Sequence, residues 1–281
     1  MDIVRRARAM AEACAAARAQ GKIVGFVPTM GALHEGHVSL VRRVRAHADV
    51  VVVSIFVNPA QFNASEDLAS YPRNLPADAD LLAREGVDFL FAPDPEEMYP
   101  PGAATFVEVQ GLSDKLEGKS RPGHFRGVAT VVTKLFAIVE PHIAAFGQKD
   151  AQQTLVVKAL VRDLLWNVEV LVLPTKREED GLAMSSRNVR LTPEQRKAAA
   201  AIPRALEAAK SVFSAGEHDP ARILAAAREV LEHETILRID YLELVDNERL
   251  DPVLRAQGEM LLAVAVFAGT TRLIDNIVLR S

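Results

Sequence analysis

The chain has 281 residues and a net charge of −4, and 49% of its residues are hydrophobic. This balance supports a sizeable core and gives no electrostatic reason to expect nucleic acid or an anionic membrane as the main partner. Cys14 is the only cysteine, which excludes an intrachain disulfide and a cysteine metal cluster. The N-terminus lacks the apolar core of a signal peptide, and no apolar run is long enough for a membrane span, so we expect a cytoplasmic protein.

The first part of the chain alternates apolar runs with amphipathic segments. Helices are predicted over 2–20, 34–47, 76–85, 125–139 and 151–164. Strands are predicted over 22–27, 50–57, 88–92, 105–109, 143–147 and 168–173. The run over 50–57 is apolar at consecutive positions, as expected of a parallel strand that is buried on both faces. The alternation predicts an α/β fold with a Rossmann-like, doubly wound, mostly parallel sheet.

The pattern changes after about residue 174. Thr192-Pro193 and Asp219-Pro220 each place a capping side chain before a proline, which predicts two helix starts. Three apolar runs then follow, over 239–245, 260–267 and 272–279. They leave no room for crossover helices, so we expect antiparallel pairing. The sequence therefore predicts a parallel α/β domain over residues 1–175 and a smaller α+β domain over 176–281.

The densest chemical signal is PTMGALHEGH (28–37), directly after the first predicted buried strand. A glycine-containing loop that opens a helix can present free backbone N–H groups and the positive helix end to an anion. Gly31 and Gly36 would let the backbone approach a polyphosphate. His34 and His37 lie three residues apart, on one face of the first turn, where they could act as charged donors to phosphoryl oxygens. Two surface or metal-binding histidines are the alternative for this spacing alone.

Two further polar segments suit a phosphate ligand. The hydroxyls and guanidinium of Met184–Asn188, at the predicted domain junction, could form a closing clamp, although an ordinary polar linker is the alternative. Phe146–Asp150 follows a predicted strand, at the sheet edge where parallel sheets bind ligands, and Lys149 could neutralise a phosphate oxygen there. Asp150 could orient Lys149, cap the next helix or touch a metal.

Six segments occur in an order that resembles a known family. They are PTMGALHEGH (28–37), VNPAQF (57–62), YPR (71–73), LEGKSRPGHFRGV (116–128), FGQKDAQQ (146–153) and DGLAMSSRN (180–188). The first contains the signature of the H-x-G-H nucleotidylyltransferases, and the whole set resembles the pantoate–β-alanine ligase family. One departure is Gln148, where that family commonly has a glutamate.

The resemblance implies an AMP-forming ligase that condenses (R)-pantoate with β-alanine to pantothenate. ATP and Mg²⁺ would be used, pantoyl adenylate would be the intermediate, and AMP and pyrophosphate would be released. The resemblance also implies a homodimer that acts on small molecules, with no nucleic acid or membrane partner. Residues 1–175 would then bind the nucleotide and catalyse, and residues 176–281 would close over the site.

The resemblance also assigns site residues. The nucleotide contacts would be Met30, Gly31, Ala32, Leu33, His34, Glu35, Gly36, His37, Gly147, Gln148, Lys149, Asp150, Lys176, Met184, Ser185, Ser186 and Arg187. His37, His34 and Lys149 would be the catalytic residues on the phosphates, and Lys176 would meet adenine through its backbone. Pantoate and β-alanine would be held by Gln61, Gln153, Asn58, Tyr71 and Arg121.

Two structural roles remain open at this point. The segment 117–127, which contains Arg121, is interpreted as a lid that keeps water from the acyl adenylate, with a mobile surface loop as the alternative. Mg²⁺ would travel with the ATP phosphates, and Asp150 and Asp78 are candidates for its protein ligands.

Two other functions fit part of the pattern. One is an H-x-G-H adenylyltransferase that acts on a phosphorylated acceptor, which would require extra basic residues where Gln61 and Gln153 stand. The other is a non-catalytic ATP-binding module, although every chemically demanding position is filled. ATP–pyrophosphate exchange with a series of acceptors separates the three functions.

Overall fold

The computed structural model describes residues 1–62, 68, 69 and 71–281. Its contacts divide the chain into two compact units. The first unit consists of Met1–Gln148 and Gln152–Pro174, and the second of Lys149–Ala151 and Thr175–Ser281. The short segment around Lys149 therefore belongs with the second unit, although it follows a strand of the first in sequence.

The described residues of the first unit form a six-stranded sheet in which every pairing is parallel. Its strands are β1 (Asp2–Val4), β2 (Val24–Thr29), β3 (Val50–Ile55), β4 (Phe89–Phe91), β5 (Ile143–Gly147) and β6 (Glu169–Leu173), in the order β1-β4-β3-β2-β5-β6. The connecting helices are α1 (Ala7–Ala19), α2 (Glu35–Arg45), α3 (Leu75–Arg84), α4 (Pro95–Met98), α5 (Glu117–Ser120), α6 (His124–Val139) and α7 (Ala151–Asp163). The predicted doubly wound parallel sheet is confirmed.

The central strands are buried on both faces, which explains their unbroken apolar sequence. On β3, Val50 and Val52 join a core that includes residues of α1, α6 and α7. Val51 and Val53 point the other way and join a core that includes residues of α2 and α3. Successive side chains of a strand point to opposite faces, so a run of four valines serves two helical layers.

Two predicted elements were wrong. Residues 2–20 are not one helix, because Asp2–Val4 pairs with β4 and α1 begins only at Ala7, whose N–H donates to Glu97 Oε1 at 2.8 Å. The segment 105–109 forms no strand. The Val107 N–H instead donates to Thr130 Oγ1 of α6 at 3.0 Å, so the backbone of this segment bonds to a helix side chain where the prediction required a sheet partner.

The second unit is α+β, as predicted. Its helices are α8 (Pro193–Ala199), α9 (Ala201–Ser214) and α10 (Pro220–Glu232), and its described strands are β7 (Leu237–Asp246), β8 (Glu259–Ala268) and β9 (Thr271–Arg280). The strands pair antiparallel in the order β7-β8-β9. The helix starts are confirmed, since Thr192 exchanges hydrogen bonds with Gln195 and Asp219 Oδ1 accepts from the Ala221 N–H at 2.9 Å.

The order of the parallel strands shows where a ligand is expected. β2 and β5 are neighbours in the sheet but far apart in sequence, with Gly25 paired to Ile143. The connections from these strands leave in opposite directions along the sheet, and open α/β sheets bind ligands at this switch point, beyond the carboxyl ends of the strands. Among the described helices, none is long and apolar enough to cross a membrane.

Candidate functional site

The two histidines of the first motif lie together at the start of α2. Their ring centroids are 4.1 Å apart, with an angle of 45° between the ring planes. His34 is the N-cap of α2, and its extended backbone (φ −139°, ψ 175°) ends the loop that leaves β2. The predicted pairing of these rings at the loop after the first buried strand is therefore present in the structure.

The hydrogen bonds of the cap define which nitrogen of each ring carries a proton. His34 Nδ1 accepts from the Gly36 N–H at 3.1 Å, and His37 Nδ1 accepts from the His34 N–H at 3.3 Å. A nitrogen that accepts from an N–H has no proton of its own, so each neutral ring carries its proton on Nε2. The cap thus places the hydrogen of each neutral ring on Nε2, while the charged form expected beside a triphosphate stays a prediction.

The loop amides are not free, which corrects the prediction of an exposed backbone N–H site. The Ala32 and Leu33 N–H groups each donate to one oxygen of the Asp78 carboxylate at 2.9 Å, and the Gly31 N–H donates to Thr29 Oγ1 at 3.2 Å. Asp78 lies in the first turn of α3 and is 6% exposed. Its oxygens hold the loop, so Asp78 is not placed as a metal ligand.

The same clamp explains the glycine at position 31. Gly31 has φ +83°, a conformation that favours glycine, and an added Cβ would lie 3.0 Å from Asp78 Oδ2 and 3.0 Å from Ile55 Cγ2. The following Ala32 also has a positive φ, of 50°. The glycine therefore lets the loop close onto Asp78, while its predicted role in approaching a polyphosphate stays a prediction.

The amide of Gln61 has a fixed orientation. Asn58 is 1% exposed; its Nδ2 donates to Gly127 O and to Gln61 Oε1, both at 3.0 Å, and its Oδ1 accepts from the Ala60 N–H and the Tyr99 hydroxyl. A carbonyl can only accept and an N–H can only donate, so the Asn58 amide cannot be reversed. Gln61 must then present its oxygen to Asn58.

This orientation directs the donor end of Gln61 towards Met30, whose Sδ lies 3.0 Å from Nε2. A thioether is a weak acceptor, so a ligand oxygen can replace it at little cost. Asn58 itself has both donors and both lone pairs occupied within the chain. It is therefore an orienting residue for Gln61, and its predicted direct contact with a ligand is not supported.

The backbone of Gln61 is also anchored. Its carbonyl lies 2.8 Å from His124 Nδ1 and accepts from Arg121 Nη2 at 3.3 Å. The structure thus brings Arg121 together with Gln61, as predicted, but through the Gln61 backbone. His124 is 8% exposed and was missed, although it stands within the LEGKSRPGHFRGV segment that the sequence analysis singled out.

The ends of the predicted lid are fixed. Glu117 is 7% exposed, and its N–H donates to Gln152 Oε1 at 3.0 Å. A Cβ on Gly118 would lie 1.7 Å from Ser113 O, and one on Gly127 would lie 2.3 Å from Ala60 O. Both ends of the segment pack directly against backbone, so its exposed stretch is confined to residues near Arg121. The ends of the segment are therefore held in place, which a lid that moves as a whole would not show.

The remaining predicted acid-binding residues are Gln153 and Tyr71. Gln153 is half-buried in the first turn of α7, and among the described residues its side chain has no hydrogen-bond partner. Its neighbour Gln152 is the structural amide, because its Nε2 donates to Leu112 O and Lys115 O, both at 2.7 Å. Tyr71 is 6% exposed and packs edge-to-face on Phe62 at 5.8 Å.

A cavity of about 310 Å³ opens beside the loop after β2. Its lining includes Met30, Gly31, Phe56, Pro59 and Asp78 and is mostly apolar. The cavity lies at the carboxyl ends of β2, β3 and β4, so it could take the hydrocarbon part of a small ligand whose polar groups face Gln61.

The residues after β5 form a 3₁₀ turn, Gln148–Asp150, that follows Gly147 at the end of the strand. Gly147, Gln148 and Lys149 are half-buried, and Asp150 is exposed. Among the described residues, no carboxylate pairs with the Lys149 ammonium, which leaves that charge available for an anion. Asp150 likewise makes no side-chain hydrogen bond to the described part of the chain.

The loop that contains the serines belongs to the second unit. Lys176 is exposed, and its carbonyl accepts from the Met184 N–H at 2.9 Å. Ser185 Oγ accepts from the Arg187 N–H at 3.2 Å, and Ser186 and Arg187 are half-buried. The predicted backbone contact of Lys176 and the clamp formed by Met184–Arg187 stay predictions.

Metal binding is not supported by a preformed protein site. The described residues contain no group of three or more His, Cys, Asp or Glu side chains that could hold a metal ion. Asp78 is occupied by two amides, and Asp150 lies on an exposed turn. A divalent cation at this site would therefore depend mainly on its ligand's oxygens and on water.

Comparison with known proteins places this site in context. The chain matches the sequence profile of the Pantoate-beta-alanine ligase family over residues 2–278. It is 56% identical over 261 residues to the pantothenate synthetase of Carboxydothermus hydrogenoformans, which covers 92% of each chain. It is 50% identical over 281 residues to the pantothenate synthetase of Koribacter versatilis, covering 100% of this chain and 97% of the relative.

Solved structures show the same similarity. Pantothenate synthetase from Thermus thermophilus superposes with a TM-score of 0.92 at 48% identity, covering 99% of both chains. Pantoate–β-alanine ligase from Francisella tularensis, complexed with beta-gamma ATP and β-alanine, gives a TM-score of 0.82 at 36% identity and covers 99% of this chain and 97% of that one.

The Asp78 clamp gives a direct prediction about stability. Asp78→Ala leaves two partly buried N–H groups without their acceptor and should lower the free energy of unfolding by roughly 1 to 3 kcal/mol. Asp78→Asn keeps one acceptor oxygen and should lose about half as much. Urea unfolding measures both changes. The control is Asp80→Ala, at an exposed position of the same helix, and an equal loss for Asp78→Ala and Asp80→Ala would contradict the clamp.

Proposed function

The chain belongs to the pantoate–β-alanine ligase family, and from that premise we propose that it condenses (R)-pantoate with β-alanine in two ATP-driven steps. In the first, the pantoate carboxylate attacks the α-phosphorus of ATP, a new P–O bond forms, and the bond to the departing pyrophosphate breaks. In the second, the β-alanine amine attacks the acyl carbon of pantoyl adenylate. AMP leaves with the bonding electrons, the nitrogen loses a proton, and pantothenate results.

The first step requires a carboxylate to approach a polyanion, so the site must neutralise the triphosphate and fix the geometry. The observation that carries the proposal is the pair of capped imidazoles, His34 and His37, with ring centroids 4.1 Å apart. With Nδ1 accepting from backbone in both rings, each Nε2–H can donate to a phosphoryl oxygen as negative charge moves to the pyrophosphate. The donor need not give up its proton.

We assign the rest of the nucleotide contacts by family resemblance. Met30–His37 and Gly147–Asp150 would line the nucleotide, with Lys149 on a phosphate, and Met184–Arg187 would close over the phosphates. The Lys149 ammonium, which pairs with no carboxylate in the described part of the chain, supports this role, and so does the Francisella tularensis relative, whose structure is a complex with beta-gamma ATP. On this proposal residues 1–175 are the catalytic domain and residues 176–281 the closing domain.

Pantoate recognition would use the fixed amide of Gln61. Its Nε2 can exchange the weak contact to Met30 Sδ for a pantoate oxygen, while Asn58 holds its Oε1. The apolar cavity lined by Met30 and Phe56 offers a surface for the dimethyl carbon of pantoate. Gln153, Tyr71 and Arg121 are proposed as further contacts to the acid or the amine.

Mg²⁺ would be bound by the nucleotide phosphates and water, and it would supply additional neutralisation of the phosphate charge. The residues of this chain contribute the hydrogen-bond donors and Lys149, and no preformed cage among the described residues is required. Family resemblance also supports two further proposals, that the enzyme is a homodimer and that it works in the cytoplasm.

The proposal is tested by the exchange of radiolabelled pyrophosphate into ATP, with purified protein and Mg²⁺. We expect exchange with pantoate alone, no exchange with β-alanine alone, and no exchange with phosphorylated acceptors such as phosphopantetheine or nicotinamide mononucleotide. His37→Ala should lower exchange by roughly 10²-fold, which shows that the activity resides in this chain. Exchange that depends on β-alanine would contradict the order of steps, and exchange with a phosphorylated acceptor alone would assign a different function.

The fixed amide makes a separate prediction. Gln61→Glu keeps an oxygen towards Asn58 but turns a carboxylate towards the pantoate carboxylate, and this repulsion should raise the KM for pantoate by at least about 100-fold. Gln61→Met, which removes both the oxygen and the NH2 group of the amide, should raise the KM for pantoate less than Gln61→Glu does. Initial rates at saturating ATP measure both constants. A Gln61→Glu enzyme with a lower pantoate KM than Gln61→Met would show that the oxygen of Gln61 faces the substrate.

A further inference from the structure

Two buried polar residues interrupt the last strand of the second unit. Asp275 and Asn276 are consecutive on β9 and are 2% and 5% exposed. Successive strand residues point to opposite faces, so both faces of β9 are covered at this point. A buried charge and a buried amide are costly unless each has a specific partner. Neither residue has a role in the proposed reaction, so their burial must be explained by the groups that they hold.

Asp275 holds the loop that contains the serines. Its carboxylate accepts from both terminal nitrogens of Arg177, at 2.6 and 3.1 Å, in the forked geometry of a strong ion pair. Arg177 Nη1 also donates to Gly181 O at 3.0 Å, and Arg177 forms a backbone bridge with Ala183. The residues between Lys176 and Met184 are thereby attached to β9 through one guanidinium.

Asn276 holds the other phosphate segment. Its Nδ2 donates to the Lys149 carbonyl at 2.9 Å, and its own N–H donates to Asp275 Oδ1 at 2.8 Å. Lys149–Ala151 groups with the second unit although it follows β5 in sequence, and this hydrogen bond is one contact that joins it to β9. One dipeptide of β9 thus contacts both the backbone of Lys149 and the loop that begins at Lys176.

We infer that Asp275 and Asn276 are positioning residues for adenylation. They attach the Lys149 backbone and the loop 176–187 to the same strand, β9, and so fix the position of one segment relative to the other. The inference rests on the proposed function, in which Lys149 and Ser185–Arg187 contact the nucleotide phosphates. A flexible lysine reaches a phosphate reproducibly only from a fixed backbone. A misplacement of about 1 Å can cost 10²-fold in rate, so the anchor contributes to the reaction without touching substrate.

A neighbouring ion pair provides a matched comparison. Arg272 of β9 donates to Asp240 of β7 at 2.7 Å, in the same sheet and partly buried. This pair joins two strands of the sheet and so contributes to the stability of the second unit. A residue that acts only on stability should therefore behave like Asp240 and not like Asn276.

The test is the pantoate-dependent exchange reaction with Asn276→Ala, alone and combined with Lys149→Ala. Alone, the substitution should lower kcat by about 10-fold, with the KM for pantoate unchanged. In the Lys149→Ala enzyme the same substitution should lower kcat by less than about 2-fold. The reason is that Asn276 acts through the Lys149 side chain, which this enzyme lacks. Asp240→Asn should leave exchange unchanged, even where thermal unfolding shows that it lowers stability.

The second anchor is tested in parallel. Asp275→Asn preserves shape and weakens the pair with Arg177, and it should raise the KM for ATP by about 10-fold through the loosened loop. If Asn276→Ala does not fold, Asn276→Leu keeps a side chain of similar size, removes the donor without adding a buried charge and is expected to give the same kinetic pattern.

The outcomes separate the two proposals. A wild-type kcat in folded Asn276→Ala or Asn276→Leu, or an equal fold-loss with and without Lys149, overturns the positioning role while the proposed function stands. Wild-type protein without pantoate-dependent exchange contradicts the proposed function, and the inference that rests on it falls too.

Discussion

The site depends on how the loop after β2 satisfies its own backbone. The Asp78 carboxylate accepts hydrogen bonds from the N–H groups of Ala32 and Leu33, and the His34 ring accepts one from the Gly36 N–H. Backbone N–H groups that are shielded from water need acceptors, and for these partly buried groups the acceptors are one carboxylate and two imidazole nitrogens. The consequence is chemical as well as structural, because each ring that accepts at Nδ1 is left with a donor at Nε2. Two backbone N–H groups thereby determine that each neutral ring carries its hydrogen on Nε2.

The same use of hydrogen bonds recurs around Gln61 and in the second unit. Asn58 uses all its capacity to orient Gln61, and Asn276 and Asp275 hold backbone and loop without facing a ligand. In each case a buried amide or carboxylate with unambiguous partners fixes a neighbour that is proposed to touch substrate. Geometry of this kind fixes orientation before a substrate binds, and such pre-organisation can lower a reaction barrier by several kcal/mol, on the order of 7 or more in favourable cases.

Local sequence patterns correctly predicted the elements that depend on interactions between residues close in sequence. The valines of β3, the Thr192 and Asp219 caps and the spacing of His34 and His37 all led to correct structure. The clamp was not predictable, because Asp78 lies 46 residues from Ala32 and nothing in its helix indicates the partner. The predicted strand over 105–109 and the predicted helix over 2–20 were wrong because tertiary partners, Thr130 of α6 and the strand β4, override local preference.

The most direct test of the central claim is the tautomer of the two rings. In protein labelled with ¹⁵N-histidine, long-range ¹H–¹⁵N correlation spectra report which ring nitrogen carries the proton, with His34→Gln and His37→Gln variants giving the assignments. The structure predicts that both rings at neutral pH are protonated on Nε2 and not on Nδ1, and that added ATP perturbs the Nε2 signals most. A proton on Nδ1 of either ring in the free protein would contradict the account.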